Sequence, residues 1–228
     1  MAPKITIYGS KMATCTQRVL ILLEELQLPY KLQEIDLASG EQHSKQFLKL
    51  NPFGKVPVLR YTEESGKESS DNGSYKEYVD ERILYESRCI LRFLANKHDK
   101  ETDYYPNSNC DMWLEIESQN LNSPLSKIVY EKVFKQMRGE SDVNEELVKS
   151  SLLELDKVLR IYEDNLSKSN FKFISGDTFT IADIACIPYL NYFVKCQGKD
   201  FLKQYPRFYH WFKKVKSRES VKKIIGNF

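Results

Sequence analysis

The sequence predicts an α/β unit with the order β-α-β-α-β-β-α, followed by an all-α unit. Two observations predict this fold class. In the first part of the chain, short apolar runs bounded by glycine or proline are typical of strands, and they alternate with apolar residues spaced three or four apart, which are typical of helices. After about residue 109 the helical spacing continues and no strand pattern is recognisable.

The first strand is predicted at residues 5–8, where a weakly alternating run ends at Gly9. Residues 14–26 follow with leucine and valine at steps of three and four, which indicates a helix. A second strand is predicted at residues 30–35. A short and weakly specified helix within residues 40–50 completes the first β-α-β-α run.

The next two strands are separated by a polar insertion. Residues 56–59 contain a Val-Pro pair, and a proline that opens a strand donates no backbone hydrogen bond. Residues 83–85 predict the fourth strand, after which a helix begins. Residues 61–82 between them include the turn signal Asp71-Asn72-Gly73, so this insertion is either an extended hairpin or a mobile loop. The complete order is a thioredoxin-like layout.

The second part of the chain predicts a series of helices. Residues 111–139 form a long helix that is interrupted near Ser123-Pro124 and stops at Gly139. Residues 144–166 are strongly amphipathic, and residues 206–216 predict a last helix with an aromatic inner face.

A capping box precedes another helix of this part, at residues 181–194. In Thr180-Ile-Ala-Asp183 the hydroxyl and the carboxylate stand three residues apart, with Asp in place of the more common Glu or Gln. Phe179 and Ile184 are placed to form the accompanying hydrophobic staple.

Composition excludes several classes of protein. The net charge of +2 gives no strong field for binding nucleic acid or a membrane surface, and no apolar run is long enough for a transmembrane helix. The five cysteines form no CxxC pair, which together with the lack of a signal sequence favours reduced thiols in the cytoplasm. The three histidines are far apart, so no metal site is expected.

Two short stretches can bind one small ligand together. Val56, held extended by the proline after it, can present its N–H and C=O to an extended peptide. The helix that begins at Ser87 offers free N–H groups to a carboxylate, and Glu86 beside it can bind an ammonium group. The ligand would therefore have an extended backbone, a carboxylate and an ammonium group.

These stretches, Asn-Pro-Phe-Gly-Lys-Val-Pro-Val-Leu at 51–59 and Tyr-Glu-Ser-Arg-Cys-Ile at 85–90, resemble the glutathione-binding half of the cytosolic glutathione transferases. The resemblance extends over nearly the whole chain. It implies a cis Pro57, pairing of Val56 with the cysteinyl backbone of glutathione, and binding of the γ-glutamyl end by Glu86 and Ser87. It also implies a thioredoxin-like domain at residues 1–99, an all-α domain at residues 108–228, and a cytoplasmic homodimer.

The loop at residues 9–19 resembles the phi class of these transferases, in which a serine hydroxyl activates the glutathione thiol. Aligned on Arg18 and Val19, that serine falls on Ala13, which has no side-chain donor. The thiolate is the nucleophile in this chemistry, and a hydrogen-bond donor on sulfur favours it. Thr14 and Cys15 are therefore the candidate catalytic residues.

Three interpretations of the alanine stay open. In the first interpretation, Thr14 supplies the hydroxyl, together with backbone N–H groups at the helix start, and attack of glutathione on apolar electrophiles or peroxides persists at a lower rate. Alternatively, Cys15 forms a mixed disulfide with glutathione and gives thiol reductase chemistry. In the third interpretation, the protein is a ligandin that chiefly carries hydrophobic small molecules. Thr14 is equally interpreted as a helix N-cap, and Cys15 as a small buried residue.

The resemblance implies further contacts. Gln42 and His43 fall where phi enzymes hold the glycyl end of glutathione, and Lys55 stands where glutamine is common and can pair with a carboxylate. Met12, Leu121 and Tyr192 are candidates for the wall of a second-substrate pocket, with plain core packing as the alternative for each.

Overall fold

A computed structural model describes residues 3–69, 75–99, 101–168, 171–197 and 199–226. The chain divides into two compact units, Met1–Leu91 and Arg92–Phe228. The first unit contains a four-stranded mixed sheet with helices, and the second is helical. This confirms the fold class that the sequence predicts.

The elements that begin in the first unit follow the predicted order. They are β1 (Lys4–Gly9), α1 (Thr14–Glu25), β2 (Lys31–Glu34), a 3₁₀ turn (Glu41–His43), α2 (Lys45–Leu48), β3 (Val58–Ser69), β4 (Tyr75–Tyr85) and α3 (Ser87–His98).

The sheet has the strand order β2-β1-β3-β4. β1 is parallel to β2 and antiparallel to β3, and β3 is antiparallel to β4. In this register Tyr8 and Tyr85 both lie opposite Val58, one on each side. The ends of β1, β2 and β4 therefore meet the beginning of β3 at one end of the sheet.

The polar insertion at residues 61–82 is an extended hairpin. β3 and β4 stay paired from Val58 and Tyr85 outwards to Ser69 and Tyr75, with one register shift between Glu64 and Gly66. The predicted turn at 71–73 lies outside the described residues. The hairpin leads away from the end of the sheet where β3 begins.

Helix α1 lies close to the first strand. Val19, Leu22 and Leu23 are fully buried, as their helical spacing predicts. A Cβ built on Gly9 would lie 2.5 Å from Oγ1 of Thr16, so a side chain at Gly9 does not fit beside α1. The helix ends where Gln27 adopts a left-handed φ of 52°.

The elements of the helical unit after α3 are α4 (Ser108–Ile116), α5 (Asn122–Val129), α6 (Lys135–Met137), α7 (Glu145–Lys168), α8 (Ile181–Gln197), α9 (Lys199–Lys203), α10 (Pro206–Lys216) and α11 (Glu219–Ile225). α10 has the predicted bounds, with Phe208, Trp211, Phe212 and Val215 buried. The short α11, which was not predicted from the sequence, buries Val221 and Ile225.

The predicted long helix is real, but its irregularity is not centred on Pro124. Two π-helical segments, Glu117–Leu121 and Tyr130–Phe134, join α4, α5 and α6. Pro124 lies in the first turn of α5, directly after the first π-helical segment. A proline cannot donate to the carbonyl of the preceding turn, so the irregular hydrogen bonding is placed just before it. The chain leaves α6 at Gly139, with a φ of 78°, where the sequence predicts the stop.

The predicted capping box is the centre of a larger hydrogen-bond network. The Asp183 carboxylate accepts the backbone N–H of Thr180 at 2.9 Å and its hydroxyl at 3.1 Å. It also accepts the N–H of Ile174 at 3.0 Å and the indole N–H of Trp211 at 2.7 Å. The box therefore connects the start of α8 to α10 and to the segment around Ile174, which precedes α8.

Candidate functional site

Three connecting segments meet at the end of the sheet where β3 begins. They are the loop after β1, the segment before β3, and the junction between β4 and α3. Half of the predicted site residues lie on these segments, and Thr14 and Cys15 directly follow the first segment. The sheet register, rather than any local sequence pattern, brings these segments together.

Hydrogen bonds from several directions hold the loop after β1. Gly9 accepts the N–H of Ile35 at 3.0 Å, and Ser10 accepts the N–H of Ala13 at the same distance. The Lys11 N–H donates to the Glu34 carboxylate at 3.0 Å. The Lys11 carbonyl accepts the side-chain amide of Gln17 from α1 at 2.8 Å. The loop therefore presents the start of α1 in a defined orientation.

Ala13, and not Thr14, is the N-cap residue of α1. Its φ of −77° and ψ of 122° are those of an N-cap, its carbonyl accepts the first helical bond from Gln17, and its side chain makes no capping hydrogen bond. The first N–H groups of a helix have no partner within the helix. At this helix start, the cap side chain satisfies none of them.

The two candidate catalytic residues follow directly. Thr14 is the first helical residue and its side chain is 5% exposed. Cys15 is half-buried, and its thiol donates a hydrogen bond to the backbone carbonyl of Val56 at 3.0 Å. Burial raises the pKa of the Cys15 thiol, while Arg18 and the backbone N–H groups of Thr16 and Cys15 lower it in part. The thiol form is therefore favoured at neutral pH.

The segment before β3 is shaped by Asn51. Its amide nitrogen donates to the Lys55 carbonyl at 2.7 Å, and its amide oxygen accepts the N–H of Phe53 at 3.0 Å. The Val56–Pro57 peptide bond is cis, as the resemblance implies. The Asn51 side chain thus stabilises the turn by hydrogen bonds to the backbone of Phe53 and Lys55. Asn51 belongs to the motif at residues 51–59, but no local sequence pattern indicates this stabilising role.

Gln42 and His43 lie beside this segment. A Cβ built on Gly54, which has a φ of 61°, would lie 2.7 Å from Nδ1 of His43 and 3.1 Å from the carbonyl oxygen of Gln42. Glycine at position 54 therefore permits the close approach of the 3₁₀ turn to the segment that contains Lys55. Lys55 and His43 are exposed, and Gln42 is half-buried.

The junction between β4 and α3 contains an unusual backbone. Glu86 has a φ of 68°, in the left-handed region that few residues other than glycine adopt. Its carbonyl accepts the N–H of Ile90 at 3.0 Å, so it stands at the N-cap position of α3. The Glu86 side chain is exposed and Ser87 is buried. A strained backbone of this kind is common at ligand-binding positions.

A small apolar cluster packs against the segments of the candidate site. Ile35, Phe47 and Val58 are buried in it, and Tyr8, Leu50, Val56 and Tyr85 pack against them. Residues from β1, α2, β3 and β4 and the segments around them are therefore fixed by the same packing.

The three predicted pocket residues differ in exposure. Met12, in the loop after β1, is 51% exposed. Leu121 is fully buried at the end of a π-helical segment, and Tyr192 on α8 is 5% exposed. Tyr192 packs edge-on against Phe134, with ring centroids 5.1 Å apart.

Two general properties complete the description. Within the described part of the chain, no helix is long and apolar enough to cross a membrane. The same residues contain no group of three or more His, Cys, Asp or Glu side chains that could hold a metal ion.

Comparison with protein families identifies the class of protein. Residues 13–97 match the glutathione S-transferase N-terminal domain, and residues 145–214 match the glutathione S-transferase C-terminal domain. The matched regions include α1, the segment before β3 and the Glu86–Ser87 junction. The chain belongs to the glutathione S-transferase family.

Comparison with individual relatives places it among the phi-class-like members. Glutathione S-transferase F13 from Arabidopsis thaliana is 31% identical over 225 residues, which are 96% of this chain and 93% of that protein. The crystal structure of glutathione transferase F2 from Populus trichocarpa is 28% identical, with a TM-score of 0.83 and 97% of each chain covered. Glutathione S-transferase I from maize, solved in complex with an atrazine–glutathione conjugate, is 27% identical with a TM-score of 0.79, over 97% of this chain and 96% of that chain.

Proposed function

We propose that this transferase conjugates glutathione to apolar electrophiles through a thiolate that is stabilised by backbone N–H groups at the start of α1. Glutathione is its co-substrate. The position of Ala13 carries the proposal. Ala13 is the N-cap of α1 and makes no side-chain cap, so the helix start keeps N–H donors for an incoming anion.

The geometry around Ala13 is compatible with this role. β1 ends beside the beginning of β3, so the start of α1 faces the same end of the sheet as Val56. The contact between Cys15 and Val56 brings the two segments within hydrogen-bond distance. A glutathione backbone paired with Val56 would thus direct its sulfur towards Ala13 and Thr14.

The remaining ligand contacts are proposed on the same segments. Glu86 and Ser87 bind the γ-glutamyl end, where the exposed carboxylate meets an ammonium group and the start of α3 meets a carboxylate. Gln42, His43 and Lys55 bind the glycyl end, since the 3₁₀ turn lies against the segment that contains Lys55. Residues 1–99 form the glutathione-binding domain in this proposal, and residues 108–228 form the domain of the second substrate.

Thr14 is a weaker candidate for the donor on sulfur. Its side chain is almost fully buried, so its hydroxyl has little surface with which to reach a ligand. Cys15 is disfavoured as a nucleophile because burial raises the pKa of its thiol.

The test is the rate of glutathione conjugation to a generic aryl halide, with purified wild type, Ala13→Ser, Thr14→Ala and Cys15→Ser. One preorganised donor is worth about 10²-fold or more in rate, so Ala13→Ser is expected to raise kcat by at least about tenfold. Thr14→Ala is expected to change kcat by less than about threefold. A complete loss in Cys15→Ser, with Ala13→Ser unchanged, contradicts the proposal and favours reductase chemistry.

A ligandin is the second candidate, and Ala13 is the observation that favours it. In that case wild type binds glutathione and hydrophobic dyes but shows no conjugation above the uncatalysed rate. Ala13→Ser would then create an activity that the natural protein lacks. Of the candidate residues for a hydrophobic site, Met12 in the first unit is exposed, whereas Leu121 and Tyr192 in the second unit are buried.

Two further properties are proposed from membership of the family. The protein is a homodimer, which light scattering of the purified chain would test by giving twice the mass of 26.8 kDa. It is cytoplasmic, in agreement with five cysteines that form no disulfide among themselves. The location of a fluorescent fusion would test this.

A further inference from the structure

Cys15 makes a contact that neither a buried filler residue nor a nucleophile requires. Its thiol donates to the carbonyl of Val56 at 3.0 Å, across 41 residues of sequence. This contact joins the first turn of α1 to the segment around the cis proline. For a sulfur donor, 3.0 Å is a short distance.

The acceptor of this hydrogen bond, the Val56 carbonyl, is also a group that we propose glutathione contacts. Val56 is half-buried, and its backbone is proposed to pair with glutathione. Its side chain packs against the cluster around Ile35, Phe47 and Val58. The carbonyl of Lys55, one residue earlier, is held by Asn51 at 2.7 Å. Two successive carbonyls are therefore held by side-chain donors, one from Asn51 and one from Cys15.

The thiol is suited to be a donor because it keeps its proton. Burial raises the pKa of the Cys15 thiol, and the negative charge of Glu86 contributes in the same direction. Arg18 and two backbone N–H groups act against this shift. A protonated thiol is a weak but real hydrogen-bond donor, whereas a thiolate would repel the carbonyl oxygen.

We propose that Cys15 is a positioning residue for glutathione: its S–H holds the Val56 carbonyl in the orientation that the backbone of the tripeptide requires. This inference rests on the proposed function. A carbonyl has two lone pairs, so Val56 can accept from Cys15 and from a ligand N–H at once. Loss of the thiol then weakens ground-state and transition-state binding equally, which raises KM for glutathione and leaves kcat nearly unchanged.

The experiment measures binding of S-methylglutathione by calorimetry, because this probe has no free thiol and cannot form a disulfide with Cys15. Cys15→Ala is expected to raise Kd for the probe about threefold. Loss of one neutral hydrogen bond typically changes a dissociation constant by about 2- to 12-fold, so this is a small effect within that range. Cys15→Ser, which keeps a donor, is expected to bind within about twofold of wild type. KM for glutathione should change in parallel with Kd.

Cys196→Ala is the matched control. Cys196 is also half-buried in a helix, and its thiol also donates to a backbone carbonyl, that of Phe193 at 3.4 Å. Its removal is expected to leave binding of the probe unchanged. Circular dichroism of each variant verifies that the fold is retained.

Two results would overturn the inference and leave the proposed function intact. One is equal binding of the probe by wild type and Cys15→Ala. The other is equal weakening in Cys15→Ala and Cys15→Ser, which would assign the effect to packing of the sulfur. Failure of wild type itself to bind the probe at millimolar concentration would instead count against the proposed function.

Discussion

The indole N–H of Trp211 donates a hydrogen bond of 2.7 Å to the carboxylate of Asp183, and both side chains are buried. The two residues are 28 positions apart, on α10 and in the first turn of α8. Burial raises the pKa of Asp183, while hydrogen bonds from Ile174, Thr180 and Trp211 lower it. The carboxylate is therefore an acceptor that three segments of the helical unit share.

The first prediction concerns stability. Asp183→Ala leaves the buried N–H groups of Ile174, Thr180 and Trp211 without their acceptor, and each unpaired group costs about 1–3 kcal/mol. We expect the free energy of unfolding to fall by at least about 3 kcal/mol, measured by urea denaturation followed through tryptophan fluorescence.

Asp164→Ala is the control for that measurement. Asp164 forms an exposed ion pair with Lys168 on α7, at 2.9 Å, and such pairs contribute about 0–1 kcal/mol. Similar losses in the two variants would show that the buried network has no special contribution to stability.

The second prediction concerns the contact between Gly9 and α1. A Cβ at Gly9 would lie 2.5 Å from Oγ1 and 2.8 Å from Cγ2 of Thr16. Gly9→Ala is therefore expected to destabilise the protein by about 1–3 kcal/mol and to lower conjugating activity, because the start of α1 must move. Thermal unfolding and kcat are the measurements.

The double variant Gly9→Ala with Thr16→Ala separates a steric effect from other causes. The Thr16 hydroxyl is buried and has no hydrogen-bond partner, so its removal leaves no donor unpaired. Stability and activity should recover in part in the double variant. An additive loss would argue against the clash.

The third prediction compares two residues with a left-handed backbone. Gln27 has a φ of 52° after α1, and Glu86 has a φ of 68° before α3. Glycine adopts this region without a steric penalty, so Gln27→Gly and Glu86→Gly are each expected to stabilise the protein by up to about 1 kcal/mol. The two variants should differ in KM for glutathione.

Glu86→Gly is expected to raise KM for glutathione about tenfold or more, because it removes the carboxylate that we propose binds the ammonium group, and a hydrogen bond to a charged group contributes about 1.5–3 kcal/mol. Gln27→Gly should leave KM unchanged. If Glu86→Gly keeps the wild-type KM, the carboxylate does not contact the co-substrate.

The fourth prediction concerns thiol reactivity and pH. Because burial raises the pKa of Cys15, its thiolate forms at a higher pH than that of free cysteine. Alkylation of Cys15 by iodoacetamide should be slow at neutral pH and should increase only at strongly alkaline pH. Exposed Cys89 should be labelled first, and buried Cys110 and Cys186 least. Peptide mass spectrometry checks the order, and rapid labelling of Cys15 at neutral pH would favour the reductase interpretation.

Much of the fold was predictable because it depends on periodicity along the chain. The aromatic and apolar residues of α10 recur at helical spacing, and the predicted bounds of that helix agree with the structure. Pro124 marks the first π-helical segment in the sequence, but the second, Tyr130–Phe134, was not predictable, because it contains no proline or glycine that would indicate an irregular helix.

The candidate site was indicated by the sequence only where it carries a recognisable motif, and the roles of its residues stay predictions. Val56, Pro57, Glu86 and Ser87 stand in such motifs. The contacts that connect them depend on distant residues, such as Cys15 with Val56 or His43 with Gly54, and no local pattern indicates those pairs. The N-cap role of Ala13 was hidden for a different reason, since alanine is a poor N-cap and gives no capping signal.

The long hairpin has a practical consequence. β1 pairs with β3 as far as Thr62, while β4 continues beside β3 to Ser69. Removal of equal lengths of β3 and β4 beyond Gly66 and Tyr78 would preserve the pairing of Val58 with Tyr85, so the end of the sheet that carries the candidate site would keep its register. The outer part of this hairpin is therefore a place where natural selection or an engineer can lengthen or shorten the chain while the strands beside the candidate site stay paired.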